Sequence, residues 1–553
     1  MKTERLFLAI LLFSVFCSLS LAQTPSKGVI TGRVVSDEGS PLMGITVRLS
    51  PPNATQLGQM RSTSTDDEGN FRFNDLSPRT YSIEVQSGRA FVPTPKTAAE
   101  RAQPSVVRLG ESVTLTMIRG GVITGRVTNS NGENLIAMPM QAMMVRDAEG
   151  NPIASPSRPA QSGSDDRGIY RFYGLTPGTY IVLANYGNPY FGSQASLYDN
   201  EAPTYYPSST RDTAVEVRVT SGGEATGIDI RYRGERGHAI SGKLTGAKDS
   251  VTVQLLHVAS ESPTATAFVS SGTSSFDFYG LPDGDYELFA QTSGETPIAA
   301  QPRRVSVRGA DVTGVELRMT PLASMAGTIV IESSPNVCDK AARSLLEEML
   351  ITARPDVKPR AETDPITRPN SAESAINAKG EFEIRRLNAV RYRLALNLPN
   401  ENLYVKTMAQ KTPAADLARN GTLLKSGDKL TGVTVTLAEG AASVRGKLSF
   451  SKEHPSRLRV HLVPTEATAA DDLLRYAEKI ATSDGSFVFT NLAPGKYFLL
   501  ARAVPDTEPA DHLPSPLAWD ATERLKLRKE AEAAKNEIEL KACQRVKDYL
   551  LRF

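Results

Sequence analysis

A sixteen-residue pattern that occurs five times, at intervals of about a hundred residues, places the strongest constraint on how this chain can fold. The first copy reads DDEGNFRFNDLSPRTY at residues 66–81, and every copy ends in a tyrosine. The closing tyrosines are Tyr81, Tyr180, Tyr286, Tyr392 and Tyr497, so successive copies stand 99, 106, 106 and 105 residues apart. Regular spacing of this kind indicates a tandem array. Units of this length can each enclose a hydrophobic core, unlike the shorter repeats of solenoids.

Each unit is predicted to be built from short β-strands. It opens with an apolar-x-Gly-x-apolar stretch, whose glycines are Gly32, Gly125, Gly242, Gly327 and Gly446. It closes with a second alternating stretch, such as SVTLTM at 112–117 or TGVELRM at 313–319. Alternation predicts half-buried strands, and a glycine within a strand indicates a bulge or a close backbone approach. With the runs between them, these stretches give about seven strands per unit, which favours an antiparallel β-sandwich.

The repeat divides the 553 residues into a leader and five modules. The leader is residues 1–22, and modules 1 to 5 are predicted at 23–119, 120–235, 236–321, 322–439 and 440–553. Two inserts without Gly or Pro are predicted to be helical: CDKAARSLLEEM at 338–349 in module 4 and AADDLLRYAEK at 469–479 in module 5. A longer helix is predicted at 518–535, before the final strand. Insertions of this kind are tolerated in surface loops.

The leader has the pattern of a secretory signal peptide. Lys2 and Arg5 precede an apolar run that ends in Ser20-Leu21-Ala22, so we expect cleavage after Ala22. No later stretch reaches the roughly 18 apolar residues of a membrane-spanning helix. The mature protein is therefore expected to be exported without a membrane span, to the periplasm, the cell envelope or the medium.

The charge balance gives no indication of nucleic acid as a partner. Lys and Arg total 63 and Asp and Glu total 61, for a net charge of +2. A nucleic-acid-binding surface requires a strong positive field or a basic stretch with interleaved aromatic residues. Neither is present in the sequence.

Two cysteines remain beyond the leader, Cys338 and Cys543. In an exported protein disulfides persist, and a bond between these two would join modules 4 and 5. The alternative is a pair of unpaired buried thiols.

The repeat resembles a known family. The residues that carry the resemblance in module 1 are Gly32, Val34, Asp66, Gly69, Phe71, Phe73, Leu76, Pro78 and Tyr81. In this order they resemble the carboxypeptidase regulatory-like domain. The resemblance implies a prealbumin-like (transthyretin-like) sandwich, close in fold to carbohydrate-binding and collagen-adhesin stalk modules. The fold class expected is mainly β, a tandem array of about five seven-stranded antiparallel prealbumin-like sandwiches with short helical inserts and a C-terminal helix. Arg79 and the pair Ala389-Val390 depart from the pattern, at the turn before the tyrosine.

The sequence predicts no enzyme and no cofactor. In the enzymes that gave the family its name, the sandwich follows a zinc peptidase domain with a His-x-x-Glu motif. None of the five histidines here begins that motif, and there is no Gly-x-Ser-x-Gly elbow or phosphate-binding glycine loop. The chain thus has regulatory-like modules without the peptidase.

A candidate ligand-binding site lies in an insert of module 2 at residues 185–210. It holds six aromatic residues in 26 positions, against about two expected from the overall 7%. They are Tyr186, Tyr190, Phe191, Tyr198, Tyr205 and Tyr206. Tyrosines among Asn, Ser and Gly offer flat amphipathic surface of the type that sugar-binding and protein-binding loops use. The alternative is that the rings pack the insert against its own sandwich.

The acidic pair Asp66-Asp67 has two interpretations, a calcium loop and a turn. The aligned positions in modules 3, 4 and 5 are not acidic, but the first always carries a side-chain oxygen: Asp66, Asp165, Ser271, Asn377 and Thr482. Calcium requires carboxylates, whereas a turn requires only an acceptor for a backbone N–H two residues on. The turn is favoured, and calcium stays an alternative for modules 1 and 2.

Together these patterns predict an exported, non-catalytic binding or scaffold protein without a metal site. Its most concrete function by resemblance is carbohydrate binding, so the partner is a glycan or an envelope protein. The alternatives are a structural or protein-interaction spacer of the bacterial cell envelope without a small ligand, and an accessory subunit of a separately encoded peptidase.

Overall fold

The structure is a computed structural model. It describes residues 28–51, 60–77, 79–86, 88, 90–95, 106–153, 160–186, 198–259, 262–292, 297–332, 338, 346–356, 371–411, 414–450, 455, 457–505, 508 and 515–553. The signal peptide predicted at 1–22 lies outside these residues. The fold is mainly β, as predicted, with the strands arranged as a succession of two-sheet sandwiches.

Module 1 contains two four-stranded sheets. Its strands are β1 (Gly28–Ser36), β2 (Thr46–Ser50), β3 (Arg61–Ser64), β4 (Asn70–Leu76), β5 (Tyr81–Val85), β6 (Phe91–Pro93), β7 (Val106–Val107) and β8 (Ser112–Arg119). One sheet has the order β4-β1-β8-β6 and the other the order β3-β2-β5-β7. This pair of sheets is the plan that the later modules vary.

Modules 2 and 3 add short edge strands to this plan. Module 2 contains β9 (Gly121–Thr128), β10 (Pro139–Arg146), β11 (Ala160–Gly163), β12 (Ile169–Leu175), β13 (Gly178–Ala184), β14 (Thr204–Tyr205), β15 (Val217–Val219), β16 (Glu224–Ala225) and β17 (Ile230–Arg231). Module 3 contains β18 (His238–Thr245), β19 (Val251–His257), β20 (Ser262–Val269), β21 (Ser275–Leu281), β22 (Gly284–Thr292), β23 (Ile298–Ala300), β24 (Arg303–Val307) and β25 (Val312–Pro321). In module 3, β23 pairs with both β22 and β25 and so connects the two sheets.

Modules 4 and 5 follow the same arrangement. Module 4 contains β26 (Ala323–Glu332), β27 (Leu350–Pro355), β28 (Ala372–Ala375), β29 (Glu381–Leu387), β30 (Arg391–Asn397), β31 (Leu403–Gln410), β32 (Ala415–Asp416), β33 (Thr422–Leu423) and β34 (Lys429–Glu439). Module 5 contains β35 (Ala442–Ser449), β36 (Leu458–Pro464), β37 (Ala477–Ile480), β38 (Ser486–Leu492), β39 (Gly495–Ala503), β40 (Glu537–Leu540) and β41 (Arg545–Arg552). The last module has two sheets, β38-β35-β41 and β37-β36-β39-β40.

In every module the first strand pairs with the last strand in parallel, and most other pairs are antiparallel. The parallel pairs are β1 with β8, β9 with β17, β18 with β25, β26 with β34, and β35 with β41. The glycine that recurs in each opening strand lies at this pairing. A Cβ on Gly242, for example, would collide with the carbonyl oxygen of Val315 on the last strand and lie 2.5 Å from Cζ of Phe276. The close backbone approach predicted for these glycines is therefore confirmed.

The repeated aromatic residues form the module cores, as predicted. Phe71 and Phe73 are buried, with their ring centroids 6.1 Å apart in an edge arrangement. Equivalent aromatic pairs are buried in modules 2, 3 and 5, and in module 4 Ile384 takes the second place. Five large apolar clusters result, one in each module. The module boundaries given above stay predictions.

Two α-helices lie within the described residues: α1 (Leu417–Asn420) and α2 (Ala521–Ala534). Helix α2 confirms the long C-terminal helix, and the side chain of Asp520 caps its first turn by accepting from the backbone N–H groups of Thr522 and Glu523. Short 3-10 turns lie at Arg211–Thr213, Leu346–Glu348, Ala467–Ala469, Leu473–Arg475 and Leu517–Trp519. Neither helix has the length and apolar character needed to cross a membrane.

The insert at 469–479 differs from the continuous helix expected there. It contains 3-10 turns, and from Ala477 onward the chain is extended as the edge strand β37. Pairing with β36 satisfies the backbone groups of this segment and overrides its local helix propensity. Of the insert at 338–349, only Cys338 and the residues from Leu346 onward are described, and Leu346–Glu348 forms a 3-10 turn.

Candidate functional site

The acidic motif that begins each repeat is organised as a turn. In module 1, Oδ1 of Asp66 accepts hydrogen bonds from the backbone N–H groups of Glu68 and Asn70, at 3.1 and 2.7 Å. Asp165 and Asn377 accept the equivalent pairs of bonds in modules 2 and 4. The amide of Asn377 does this work without a negative charge, so the geometry requires an acceptor and not a carboxylate.

Module 5 achieves the same backbone turn with different side-chain bonds. Here the hydroxyl of Thr482 donates to Asp484, at 2.6 Å, and the backbone N–H of Ser486 donates to the same carboxylate. The expectation that position 482 supplies the acceptor is therefore wrong, because the acceptor has moved two residues along the turn. These bonds hold the pKa of Asp484 below its usual value. Among the residues that the structure describes, no group of three or more His, Cys, Asp or Glu side chains could hold a metal ion.

The aromatic insert of module 2 is closely packed against its own sandwich where it is described. Tyr205 lies on β14, pairs with β13 and is buried. Tyr186 packs beside it in a small cluster with Ile181 and Leu183. Tyr198 and Tyr206 pack against the module core, and the ring centroids of Tyr198 and Tyr232 lie 5.9 Å apart. Tyr190 and Phe191 lie outside the described residues. Four of the six proposed ligand-binding rings thus have structural contacts.

A disulfide joins Cys338 to Cys543 in the structure. The two Cα atoms lie 5.4 Å apart although the residues are separated by 205 positions. Because Cys338 follows the first strand of module 4 and Cys543 precedes the last strand of module 5, the bond connects the two modules.

A cavity of about 260 Å³ lies where module 4 meets module 5, and it is not predicted by the sequence patterns described above. Its floor is the outward face of β36 and β37, where His461 and Glu478 are directly opposite each other in the antiparallel register. Helix α2 covers part of the same face through Leu527 and Ala531, which pack on Val463. Residues of β36 that point away from the module core are buried because this helix covers them.

The floor of the cavity carries a buried network of charged and polar groups. Nδ1 of His461 lies 3.4 Å from a carboxylate oxygen of Glu478, and Nε of Arg459 lies 3.9 Å from the other. Burial alone raises the pKa of Glu478, but the hydrogen bond from His461 and the charges of His461 and Arg459 outweigh burial and hold the pKa below its usual value. Arg459 also pairs with Glu508, at 2.5 Å. Glu478 is therefore ionised at neutral pH.

The imidazole of His461 has a ring nitrogen without a hydrogen-bond partner among the residues that the structure describes. His461 is 2% exposed, and its Nε2 has no hydrogen-bond partner within the described part of the chain. Buried polar atoms in proteins are nearly always satisfied by protein, water or ligand. This nitrogen is consequently the group in the cavity that most requires an external partner.

Module 4 contributes to the cavity through Arg354, and Trp519 of module 5 lies at the boundary. The guanidinium carbons of Arg354 and Arg393 lie 5.2 and 5.4 Å from the centroid of the Trp519 ring. Both distances are within the range of cation–π attraction. The single tryptophan of the chain thus binds two arginines of the neighbouring module and fixes one wall of the cavity.

The sequence alone does not predict this site, because its residues come from positions 354 to 527 and lie in two modules. The available signals were a histidine inside the apolar stretch RVHLVP and the only tryptophan, at the start of the C-terminal helix. Each alone is compatible with ordinary packing.

Comparison with known proteins identifies one module directly. Residues 29–117 match the model of the carboxypeptidase regulatory-like domain, so the resemblance is confirmed for module 1. A search of the curated proteins gives no match.

Several solved structures resemble parts of the chain. The Bacillus anthracis TIE protein is 13% identical, with a TM-score of 0.14, over 53% of this chain and 51% of its own length. This chain therefore spans about half of that protein. A minor pilin of Streptococcus agalactiae is 15% identical, with a TM-score of 0.20, over 37% of this chain and 96% of the pilin. A streptococcal ancillary pilin is 10% identical, with a TM-score of 0.16, over 53% of this chain and 99% of the pilin. The two-sheet architecture follows from the strand pairing described above.

Proposed function

We propose that this protein is an exported, non-catalytic scaffold that holds five β-sandwich modules at fixed spacing. The observation that carries the proposal is the shortness of the junctions. One residue separates β8 from β9 and one separates β25 from β26, two separate β34 from β35, and six separate β17 from β18. Flexible linkers between domains are longer and rich in Gly, Ser or Pro. Strands joined this closely restrict how far one module can turn relative to the next.

The direction of the terminal strands supports the same proposal. Because the first and last strands of a module run parallel, the chain enters the sheet at one end and leaves it at the other. Each following module therefore begins at the end of the sheet where the previous module stops. This is a favourable topology for a protein that spaces binding surfaces or partners.

Polar contacts at the junctions add to the restriction. Nδ2 of Asn491 in module 5 donates to the carbonyl oxygens of Asn400 and Leu403 in module 4, both at 2.8 Å. Arg545 donates to Asn402 Oδ1, at 2.6 Å, and to the carbonyl of Glu401, at 3.0 Å. Together with the disulfide, these bonds favour a single arrangement of the last two modules.

The scaffold proposal is tested by measuring distances between spin labels on modules 3 and 4. Residues 23–553 are compared with a variant in which a flexible Gly-Ser segment is inserted after Leu322. We expect a narrow distance distribution in the parent, which the insertion broadens. The same segment inserted at residue 55, between β2 and β3 in the sequence, is the control and leaves the distribution narrow. A parent distribution as broad as that of the Leu322 insertion would contradict the proposal.

Carbohydrate binding through the aromatic insert is the finer proposal, supported by the six aromatic residues and by the resemblance to carbohydrate-binding folds. Its test is a glycan array with residues 23–553 and with the double variant Tyr190→Ala, Phe191→Ala. These two rings are chosen because Tyr205 is buried and its replacement would disturb the fold. Binding that the double variant loses supports the site, and no binding by the parent contradicts the carbohydrate proposal.

The array result also separates the remaining alternatives. A spacer of the cell envelope binds no glycan and retains envelope proteins when a tagged, exported copy is purified from its own extract. An accessory subunit retains a separately encoded peptidase in the same experiment.

A further inference from the structure

The cavity between modules 4 and 5 has the properties of a small-molecule site that is independent of the scaffold proposal. Its volume of about 260 Å³ is far larger than the roughly 10–15 Å³ that a single buried water requires. This is just below the range of cavities that hold drug-sized ligands. The occupant is accordingly a small molecule of about monosaccharide size, and not a peptide or a polymer.

The charges around the cavity favour an anion. Arg354, Arg459 and Lys479 line it, whereas the carboxylates near it are Glu478, in the lining, and Glu508, which pairs with Arg459. Three cations against two carboxylates leave one positive charge in excess. Lys479 has no carboxylate partner among the residues that the structure describes, and burial, followed by the charge of Arg354, lowers its pKa. A carboxylate ligand would relieve both effects.

The carboxylate of Glu478 restricts the class of anion further. It is an ionised acceptor beside His461, and the single excess positive charge is matched by one negative charge, so the second charge of a dianion is repelled by Glu478. Phosphate and sulfate are disfavoured for this reason. A hydroxyl group, in contrast, donates to Nε2 of His461. This is the acceptor nitrogen of an imidazole whose Nδ1–H faces Glu478, and it has no partner in the described part of the chain.

The remaining wall is suited to a carbon skeleton. Tyr476, Trp519 and Leu527 line the cavity with aromatic and aliphatic surface. Small-molecule sites combine such apolar walls with a few placed polar groups. The apolar wall, the cation of Lys479 and the hydroxyl-binding nitrogen of His461 are therefore present together.

We propose that this cavity binds a small hydroxylated monocarboxylate of uronic-acid size, with the carboxylate at Lys479 and Arg354 and a hydroxyl group that donates to Nε2 of His461. The site depends on both modules, because Arg354 comes from module 4 and the other groups come from module 5. It does not depend on the aromatic insert of module 2.

The test is titration calorimetry of residues 23–553 with D-glucuronate as the probe, and with D-glucose and inorganic sulfate as comparisons. We expect one glucuronate per chain, bound at least about tenfold more tightly than glucose or sulfate. Only glucuronate offers both a carboxylate to Lys479 and a hydroxyl group to Nε2 of His461. No glucuronate binding overturns the proposal. Equal affinity for glucose excludes the role of the cations, and tighter binding of sulfate shows a simple anion site; either result overturns it.

The position of the bound probe is tested with protein labelled with ¹⁵N at histidine. The chain has five histidines, so the spectrum of the imidazole groups is simple. We expect glucuronate to shift one of the five imidazole spectra, and that spectrum to be absent in His461→Gln. Binding without any shift of the His461 signal would place the ligand elsewhere and overturn the site.

Lys479→Gln separates binding from folding. It should weaken glucuronate binding about tenfold and leave the melting temperature of the ligand-free protein unchanged or higher, because it removes an unpaired, partly buried charge. Lys496→Gln, at an exposed lysine of the same module, is the matched control and should bind as the parent does. Unchanged affinity in Lys479→Gln would overturn the assignment of the carboxylate position.

Discussion

The hydroxyl of Tyr286 donates a hydrogen bond to the carbonyl oxygen of Pro282, four residues before it, at 2.8 Å. The closing tyrosines of modules 1, 2 and 5 make the same bond to the residue four positions earlier, at 2.7–2.9 Å. In module 4 the direction is reversed, since the backbone N–H of Asn388 donates to the hydroxyl of Tyr392. This is the module in which Ala389-Val390 replaces Pro-Gly at the turn. The repeated tyrosine thus fastens the turn before its own strand, as tyrosine corners do in other sandwiches.

Replacing this tyrosine should loosen its module locally. Tyr286→Phe keeps the buried ring but leaves the carbonyl of Pro282 without its partner, so module 3 should lose about 1 kcal/mol of stability. Hydrogen–deuterium exchange of peptides from β21 and β22 measures this, as an increase in exchange of about fivefold. Tyr279→Phe, at a largely exposed ring of the same module, is the control. Equal exchange in the two variants would show that the bond contributes nothing.

The corner tyrosines also predict a loss of stability at alkaline pH. Burial raises the pKa of Tyr392 and of Tyr497 to about 12, against about 10 in an unfolded chain. The unfolded state therefore releases these protons first, and the stability that neutral tyrosine contributes is complete below pH 10 and lost as the pH rises from 10 to 12.

The measurement is the melting temperature as a function of pH, with tyrosinate absorbance recorded in parallel. We expect the melting temperature to fall over this interval, and to fall less in Tyr392→Phe than in the parent because one ionising group is absent. A melting temperature that stays constant to pH 12 would contradict the prediction.

The glycine of each opening strand should not accept a side chain. In module 2 a Cβ on Gly125 would collide with the carbonyl oxygen of Ile228 and lie 2.9 Å from the hydroxyl of Tyr170. Gly125→Ala should therefore cost about 1–3 kcal/mol through overpacking. Gly163→Ala is a matched control in the same module, because nothing lies within 4 Å of a Cβ there. Thermal unfolding of the two variants compares them, and a similar melting temperature in both would disprove the close approach.

The closing tyrosine and the opening glycine of each module could be predicted from the sequence. Tyrosine and glycine recur at fixed places because the same core and the same strand pairing recur, so repetition made their roles visible. The residues that line the cavity are not part of the repeated pattern. Their proximity depends on how α2 covers the face of β36 and β37. The insert at 469–479 was expected to be helical from its composition, but pairing with β36 extends its last residues. Local propensity does not contain that tertiary contact.

The turn at Asp66 should depend on a hydrogen-bond acceptor and not on calcium. Asp66→Asn keeps the acceptor, as Asn377 does in module 4, and should leave module 1 as stable as the parent. Asp66→Ala removes the acceptor for two backbone N–H groups and should cost about 1 kcal/mol. Thermal unfolding with and without a chelator tests the metal directly. A melting temperature that falls in chelator would instead support the calcium interpretation.

The bond between Cys338 and Cys543 should be recovered as one linked peptide pair in a non-reducing digest of residues 23–553. If the cysteines are unpaired thiols instead, an alkylating reagent will label both without prior reduction. For a loop of 205 residues the chain-entropy model gives a stabilisation of about 5 kcal/mol. We expect a smaller effect in Cys338→Ser, Cys543→Ser, because modules 4 and 5 have separate cores. Hydrogen exchange should therefore increase mainly at the contact between the modules, around Asn400 and Asn491, and little in the strands of either core. An increase throughout both cores would show that the disulfide stabilises the modules themselves.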